Sequence, residues 1–163
     1  MEQPVWENKN ASEAAAGHDS DNAKTPEPKL VLCKLILGTI SMIICVIVLF
    51  QSCAAGLGNA IENNGEISGS AGFLAALNLV ISGIIAVAAR KSVSRIPMLV
   101  AAALLWFNYF IAKMFGGSYV DLQIWGFVSF AFGVVYLFSI ARTKKQNLIV
   151  AVVSAIYLAA ALI

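Results

Sequence analysis

The sequence predicts an all-α integral membrane protein, a bundle of five helices joined by short loops. Hydrophobic residues make up 60% of the chain and charged residues only 12%, whereas soluble domains have roughly 25% charged residues. Apolar stretches about as long as a bilayer is thick follow one another from Leu30 to Ile163. The loops between these stretches are alternately basic and non-basic, which is typical of a chain that crosses a membrane several times.

Residues 1–29 are predicted to form a disordered acidic tail in the cytoplasm, and 30–163 the membrane domain. The tail contains six acidic and three basic residues, several prolines and the only histidine, His18. Because it has almost no aliphatic bulk, it cannot bury enough surface to offset the entropy lost on ordering. We expect no ordinary cleavable signal peptide, since the first apolar run starts only at residue 30.

The apolar runs predict membrane spans at about 30–51, 71–89, 96–115, 124–141 and 145–163. A helix needs about 20 residues to cross the hydrocarbon core. The last run is strictly apolar only from Leu148, so it reaches this length if Lys144 and Lys145 extend towards the headgroups. The alternative is a four-span bundle with an interfacial or re-entrant last helix.

The distribution of basic residues predicts the orientation, because positive charge favours the cytoplasmic side. Nine basic residues lie near one end of the spans: Lys24, Lys29, Lys34, Arg90, Lys91, Arg95, Arg142, Lys144 and Lys145. The loops at the other end, 52–70 and 116–123, contain no basic residue. We therefore expect a multi-pass protein of the cell membrane with a cytoplasmic N-terminus and, with five spans, an external C-terminus.

Local signals agree with these boundaries. Asn63-Asn64-Gly65 is a turn sequence, because Asn and Gly tolerate a positive φ. Pro97 lies in the first turn of the third span, where its missing N–H costs little, and Ser94 is predicted as its N-cap. Gly116 and Gly117 are expected to end this helix.

Small residues recur every three or four positions and predict the faces on which the helices pack, since helices in lipid associate through close contact. These faces are Gly38, Ser41, Cys45 and Ser52; Ala71, Ala75, Asn78, Ser82, Ala86 and Ala89; Gly126, Ser129 and Gly133, continued by Tyr136; and Ala151, Ala155 and Ala159. They favour a compact bundle. A pore is the alternative interpretation, but the sequence has no ring of charges and no Gly-rich filter.

Asn78, Asn108 and Ser129 are the candidate intramembrane polar cluster. Helix geometry places each about 10 Å from the outer surface of the membrane. Groups at one depth can form hydrogen bonds between helices, so a structural role is the first hypothesis. A ligand site that opens outwards, close to Trp106 and Tyr109, is the second.

Charged residues near the ends of the spans form a second set of candidates. Lys113 lies near the outer end of the third span, against the positive-inside trend. We expect it to extend to the outer headgroups or to pair with Asp121, Glu62 or Glu66. Lys34 lies near the cytoplasmic end of the first span and is expected to extend to the headgroups.

The three cysteines do not predict a metal site, and one of them, Cys53, is a candidate for lipidation. Cys33 and Cys45 are interpreted as small buried apolar residues. Cys53 follows a basic flank and an apolar run, in the order of a bacterial lipoprotein signal, but Phe50 and Gln51 do not match the usual residues before the modified cysteine. No metal or cofactor site is expected, because no cysteine pair or histidine cluster exists.

The sequence contains no catalytic, nucleotide-binding or nucleic-acid-binding motif, so no enzyme and no nucleic-acid partner is expected. In build, the chain resembles small multispan membrane proteins of Gram-positive bacteria, and this resemblance implies no activity. The leading hypothesis is an accessory, regulatory or immunity-type subunit that acts through membrane partners or as a homo-oligomer. The alternative is an oligomeric small transporter or channel component.

Overall fold

The computed structural model describes residues 27–117, 119–141 and 143–162, and within these ranges all secondary structure is helical. The helices, in chain order, are α1 (Pro28–Glu62), α2 (Ser68–Ala88), α3 (Ile96–Phe115), α4 (Val120–Ile140) and α5 (Lys144–Leu162). The acidic tail predicted over residues 1–29 lies outside the described residues, except for its last three positions.

Four of the described helices, α1 to α4, are long and apolar enough to cross a bilayer. The predicted third span, 96–115, coincides with α3 at both ends. Its N-cap is Arg95, not Ser94 as predicted; the Ser94 hydroxyl instead accepts a weak 3.4 Å hydrogen bond from the Ile96 N–H. The last helix, α5, begins with the polar sequence Lys-Lys-Gln-Asn and is otherwise largely apolar.

The helix that contains the first predicted span, 30–51, does not end near residue 51. The first helix has 35 residues and continues to Glu62, so the predicted loop 52–70 shrinks to 63–67. The extension is stabilised by α2: a Cβ added at Gly69 would lie 2.5 Å from the Gly56 Cα, and Gly72 lies directly against the Ser52 hydroxyl. Small residues that suggest a loop in the sequence are here the contact surface between two helices.

The turn after α1 is closed by asparagines. Asn63 has a φ of 49° and Gly65 a φ of 73°, as the turn sequence predicted. The Asn59 side-chain amide donates to the Glu66 carbonyl at 3.1 Å and to the Ser68 hydroxyl at 2.9 Å. These bonds join the last turn of α1 to the first turn of α2.

The small-residue faces of α1, α2 and α4 are confirmed. Gly38, Ser41, Cys45 and Ser52 are buried on α1, and Gly126, Ser129, Gly133 and Tyr136 are buried on α4. The face on α2 is buried from Ala71 to Ala86, while Ala89 is partly exposed. Near the other end of the α1–α2 contact, a Cβ added at Gly38 would lie 2.8 Å from the Gly83 carbonyl oxygen. The two backbones therefore touch near both ends of α2.

The predicted face of α5 is wrong. Ala151, Ala155 and Ala159 are exposed, whereas Ser154 is only 8% exposed and the Tyr157 ring contacts α3. This ring stacks on Trp106 with a centroid distance of 4.9 Å, and its hydroxyl donates to the Trp106 carbonyl at 2.7 Å. At about 100° per residue, the three alanines lie roughly 120–160° around the helix from Tyr157, so they point away from the bundle.

Candidate functional site

The structure brings Asn78, Asn108 and Ser129 together where α2, α3 and α4 meet. The Asn78 Nδ2 donates to the Asn108 Oδ1 at 2.9 Å. The Asn108 Nδ2 in turn donates to the Ala75 carbonyl at 2.9 Å and, more weakly, to the Ser129 hydroxyl at 3.5 Å. Asn108 is 0% exposed, Ser129 1% and Asn78 6%.

Each side chain reaches this point because it lies on the packing face of its helix. Asn78 belongs to the small-residue face of α2, and Ser129 belongs to that of α4. Gly126, one turn before Ser129, has its Cα close to the Ala112 methyl group of α3. This close approach of α3 and α4 places the Ser129 hydroxyl within reach of Asn108.

The hydrogen bonds of the cluster are directed to groups within the protein. Ser129 donates its hydroxyl hydrogen to the Trp125 carbonyl at 2.8 Å, and both amide hydrogens of Asn108 point at protein acceptors. Neutral amides and a hydroxyl titrate far from neutral pH, so they provide no general acid or base. The arrangement can hold three helices in register, and this is what its geometry favours.

The four charged candidates Lys113, Asp121, Glu62 and Glu66 lie at one end of the bundle. Lys113 is exposed in the last turn of α3, and Asp121 is exposed in the first turn of α4. Glu62 is exposed at the end of α1, where its carboxylate accepts a 3.1 Å hydrogen bond from the Asn64 amide. Glu66 is half-buried in the α1–α2 loop.

Glu66 connects the two loops at this end. Its carboxylate lies against Gly117 of the α3–α4 loop: a Cβ added there would lie 2.9 Å from the Glu66 Oε2. Gly117 has a φ of +53°, so both its conformation and its surroundings favour glycine. Two residues further on, burial and the Asp121 carboxylate raise the pKa of the Tyr119 hydroxyl, which therefore stays protonated.

The cysteines are free thiols in three different environments: Cys33 is half-buried, Cys45 is buried and Cys53 is exposed. The α1 helix continues without interruption through Cys53. Lipoprotein processing at this residue would separate it from the buried residues Gly38 to Ser52, which form the α1 face of the core. Among the residues that the structure describes, no three His, Cys, Asp or Glu side chains are close enough to hold a metal ion.

Lys34 is more buried within the protein than expected. Its side chain was predicted to extend to the headgroups, but it is only 6% exposed. It belongs to the buried face of α1, which continues through Gly38 and Ser41.

Two interhelical contacts were missed by the sequence analysis. The Trp125 indole N–H donates to the Gln51 side-chain oxygen at 2.5 Å and joins α4 to α1. The rings of Trp106, Tyr109, Phe130 and Tyr157 form an aromatic cluster with neighbouring centroids 4.9–6.1 Å apart. A glutamine inside a longer first span and a Trp facing it could have indicated the first contact. Nothing in the sequence assigned Tyr157 to the second.

No family model, curated protein or solved structure matches this chain. Its function must therefore be inferred from the packing, charge and exposed surfaces of the molecule itself. The apolar helices indicate a multi-pass membrane protein.

Proposed function

We propose that the chain crosses the cell membrane several times with its N-terminus in the cytoplasm. The up-and-down order of the helices supports this orientation. The start of α1 at Pro28, the end of α2 at Ala88 and the starts of α3 at Ile96 and α5 at Lys144 are on one side. The basic residues on this side are Lys29, Arg90, Lys91, Arg95, Lys144 and Lys145. The opposite loops, 63–67 and 116–119, contain no lysine or arginine, and Lys113 near the end of α3 is the exception to the positive-inside rule at this end.

We also propose that α5 enters the bilayer, with the C-terminus outside. The helix has 19 residues, which corresponds to ~28 Å of length, close to the thickness of the hydrocarbon core. Tyr157 lies about 20 Å along α5 from Lys144 and contacts Trp106, the eleventh residue of α3. This contact is near the middle of the bundle, so it supports a helix that rises alongside α3 and α4 over one that lies on the membrane surface.

The biochemical function that the geometry favours is that of a non-enzymatic accessory or regulatory subunit acting through lateral contact with another membrane-embedded helix, of a partner protein or of a second copy. One observation supports this most: α5 turns Ala151, Ala155 and Ala159 away from its own bundle. Small residues are the usual contact surface between helices in lipid. In this chain the other three such faces are occupied within the bundle.

The buried centre of the bundle supports this function over the transporter or channel alternative. Leu79, Leu105 and Tyr136 are fully buried and fill the space between the helices. The polar cluster at Asn108 makes its hydrogen bonds to the protein itself. Conduction by a single copy would require a hydrated path through this packed region.

The experiment is photo-crosslinking in native membranes. A benzophenone side chain at position 155, on the outward alanine face, should give one discrete protein adduct or a crosslinked dimer. The control places the same group at position 73, where Phe73 is 50% exposed on α2 and is expected to face lipid. Protein adducts at both positions, or at neither, would contradict the proposed role of α5.

A further inference from the structure

An open groove of about 400 Å³ lies beside the beginning of α1. Its lining residues are Pro28, Val31, Leu32 and Leu35 from α1, and Lys91 from the α2–α3 loop. The volume falls within the range of roughly 300–1,000 Å³ that is usual for small-molecule sites. The groove therefore combines an aliphatic wall with a single cationic side chain.

The charge of the groove is concentrated at one end. Lys91 is exposed, and it follows Arg90, whose guanidinium donates to the Val87 carbonyl at 2.8 Å and is thereby held at the end of α2. Lys29 follows Pro28 on the other wall. Glu27 is the acidic residue at this end; it precedes α1, and its backbone carbonyl accepts the first helical hydrogen bonds. Among the described residues that line the groove or adjoin its lining residues in sequence, three are thus cationic and one is anionic.

The aliphatic wall is continuous with the outer surface of the bundle. Leu32 is 56% exposed and Leu35 36% exposed, on the part of α1 that begins next to the basic end. A ligand that fills the groove therefore has to be apolar along α1 and anionic beside Lys91.

We propose that this groove binds one anionic phospholipid of the cytoplasmic leaflet, with an acyl chain along Val31, Leu32 and Leu35 and its phosphate on the Lys91 ammonium. Basic pockets at the cytoplasmic ends of membrane helices bind anionic headgroups through the same combination of contacts. The proposal rests on the orientation proposed above, because it assigns the groove to the cytoplasmic side. A free anion would use Lys91 alone and leave the leucines exposed.

The test uses the purified full-length chain in mixed micelles, with lipid binding measured by native mass spectrometry. Phosphatidylglycerol and phosphatidylcholine with identical acyl chains are compared. We expect phosphatidylglycerol to bind more tightly, and Lys91→Gln to weaken its binding about five-fold, since one basic residue near an anionic surface has an effect of that size. Leu32→Gln should weaken the binding of both lipids.

The matched control is Lys144→Gln, which removes an exposed basic residue from α5 on the same side of the bundle and should leave binding within two-fold of the unsubstituted chain (roughly the scatter of such surface effects). Equal binding of the two lipids, or equal effects of Lys91→Gln and Lys144→Gln, would overturn the proposal. Displacement of phosphatidylglycerol by inorganic phosphate would overturn the proposal and show a site for a free anion instead. Lipid binding in micelles does not depend on the orientation of the chain in a membrane. The lipid site and the proposed topology can therefore fail independently, and each failure is recognised by its own experiment.

Discussion

Replacing Asn108 with leucine should destabilise the bundle far more than the loss of one exposed polar group. Leucine has the same branching as asparagine, so the substitution mainly removes hydrogen bonds. The main bonds lost are those to the Asn78 amide and to the Ala75 carbonyl, both 2.9 Å long, and the weak 3.5 Å bond to Ser129 is lost with them. Interhelical hydrogen bonds in membranes are worth about 0.6 kcal/mol on average.

The larger part of the destabilisation comes from Asn78, the hydrogen-bond partner that remains buried. Asn78 is only 6% exposed, so without Asn108 its amide N–H loses its acceptor, at a cost of about 1–3 kcal/mol. Two lost bonds and one stranded amide together give a decrease of about 2–4 kcal/mol in the free energy of unfolding. The sequence alone does not show that Asn78 depends on Asn108.

A double-mutant cycle isolates this dependence. We expect Asn78→Leu to cost about 1–2 kcal/mol, and the double variant to cost about 1 kcal/mol less than the sum of the single variants, because no stranded amide remains. The measurement is equilibrium unfolding in mixed micelles, followed by circular dichroism. Thr39→Val is the control, since the Thr39 hydroxyl is exposed and bonds only to the Leu35 carbonyl of its own helix.

Additive effects, or an Asn108→Leu variant as stable as Thr39→Val, would refute the structural role of the cluster. A variant that is stable and correctly inserted but biologically inactive would favour the ligand site instead.

Three further predictions follow from the packing. Gly69→Val should lower the free energy of unfolding by about 1–3 kcal/mol through overpacking against Gly56, whereas Gly58→Val, which meets no atom within 4 Å, should not; equal losses would contradict the close α1–α2 contact. Tyr157→Ala should accelerate amide hydrogen exchange in α5 and leave exchange in α1 to α4 unchanged. Accelerated exchange in all five described helices would contradict this and show that α5 is part of the common core. Trp125→Phe should lower the free energy of unfolding by about 0.6 kcal/mol in the same unfolding assay, because it removes the bond to Gln51. If neither Trp125→Phe nor Gln51→Leu lowers the free energy of unfolding, that contact is excluded.

Boundaries set by local chemistry could be predicted from the sequence. The α3 helix starts beside Pro97 and ends at Phe115, two residues before Gly117 with its φ of +53°, because backbone constraints of single residues act at both ends. The buried faces of α1, α2 and α4 also followed from sequence, since the spacing of small residues depends only on helix geometry.

Features set by contacts between distant segments could not be predicted. The extension of α1 to Glu62 depends on α2 lying against Gly56, and the outward turn of Ala155 depends on Tyr157 meeting Trp106. The equal depth of Asn78, Asn108 and Ser129 could be calculated from the sequence. Which amide donates to which oxygen depends on the rotation of each helix, and this is fixed only by packing.

The most direct test of the proposed topology is cysteine labelling in intact cells. In a chain with Cys33, Cys45 and Cys53 replaced by alanine, a single cysteine is placed at Ile67 or at Val93, which are 57% and 44% exposed in opposite loops. A membrane-impermeant maleimide should label position 67 in intact cells and position 93 only after permeabilisation. Labelling of position 93 in intact cells, or of both positions equally, would contradict a multi-pass bundle with a cytoplasmic N-terminus.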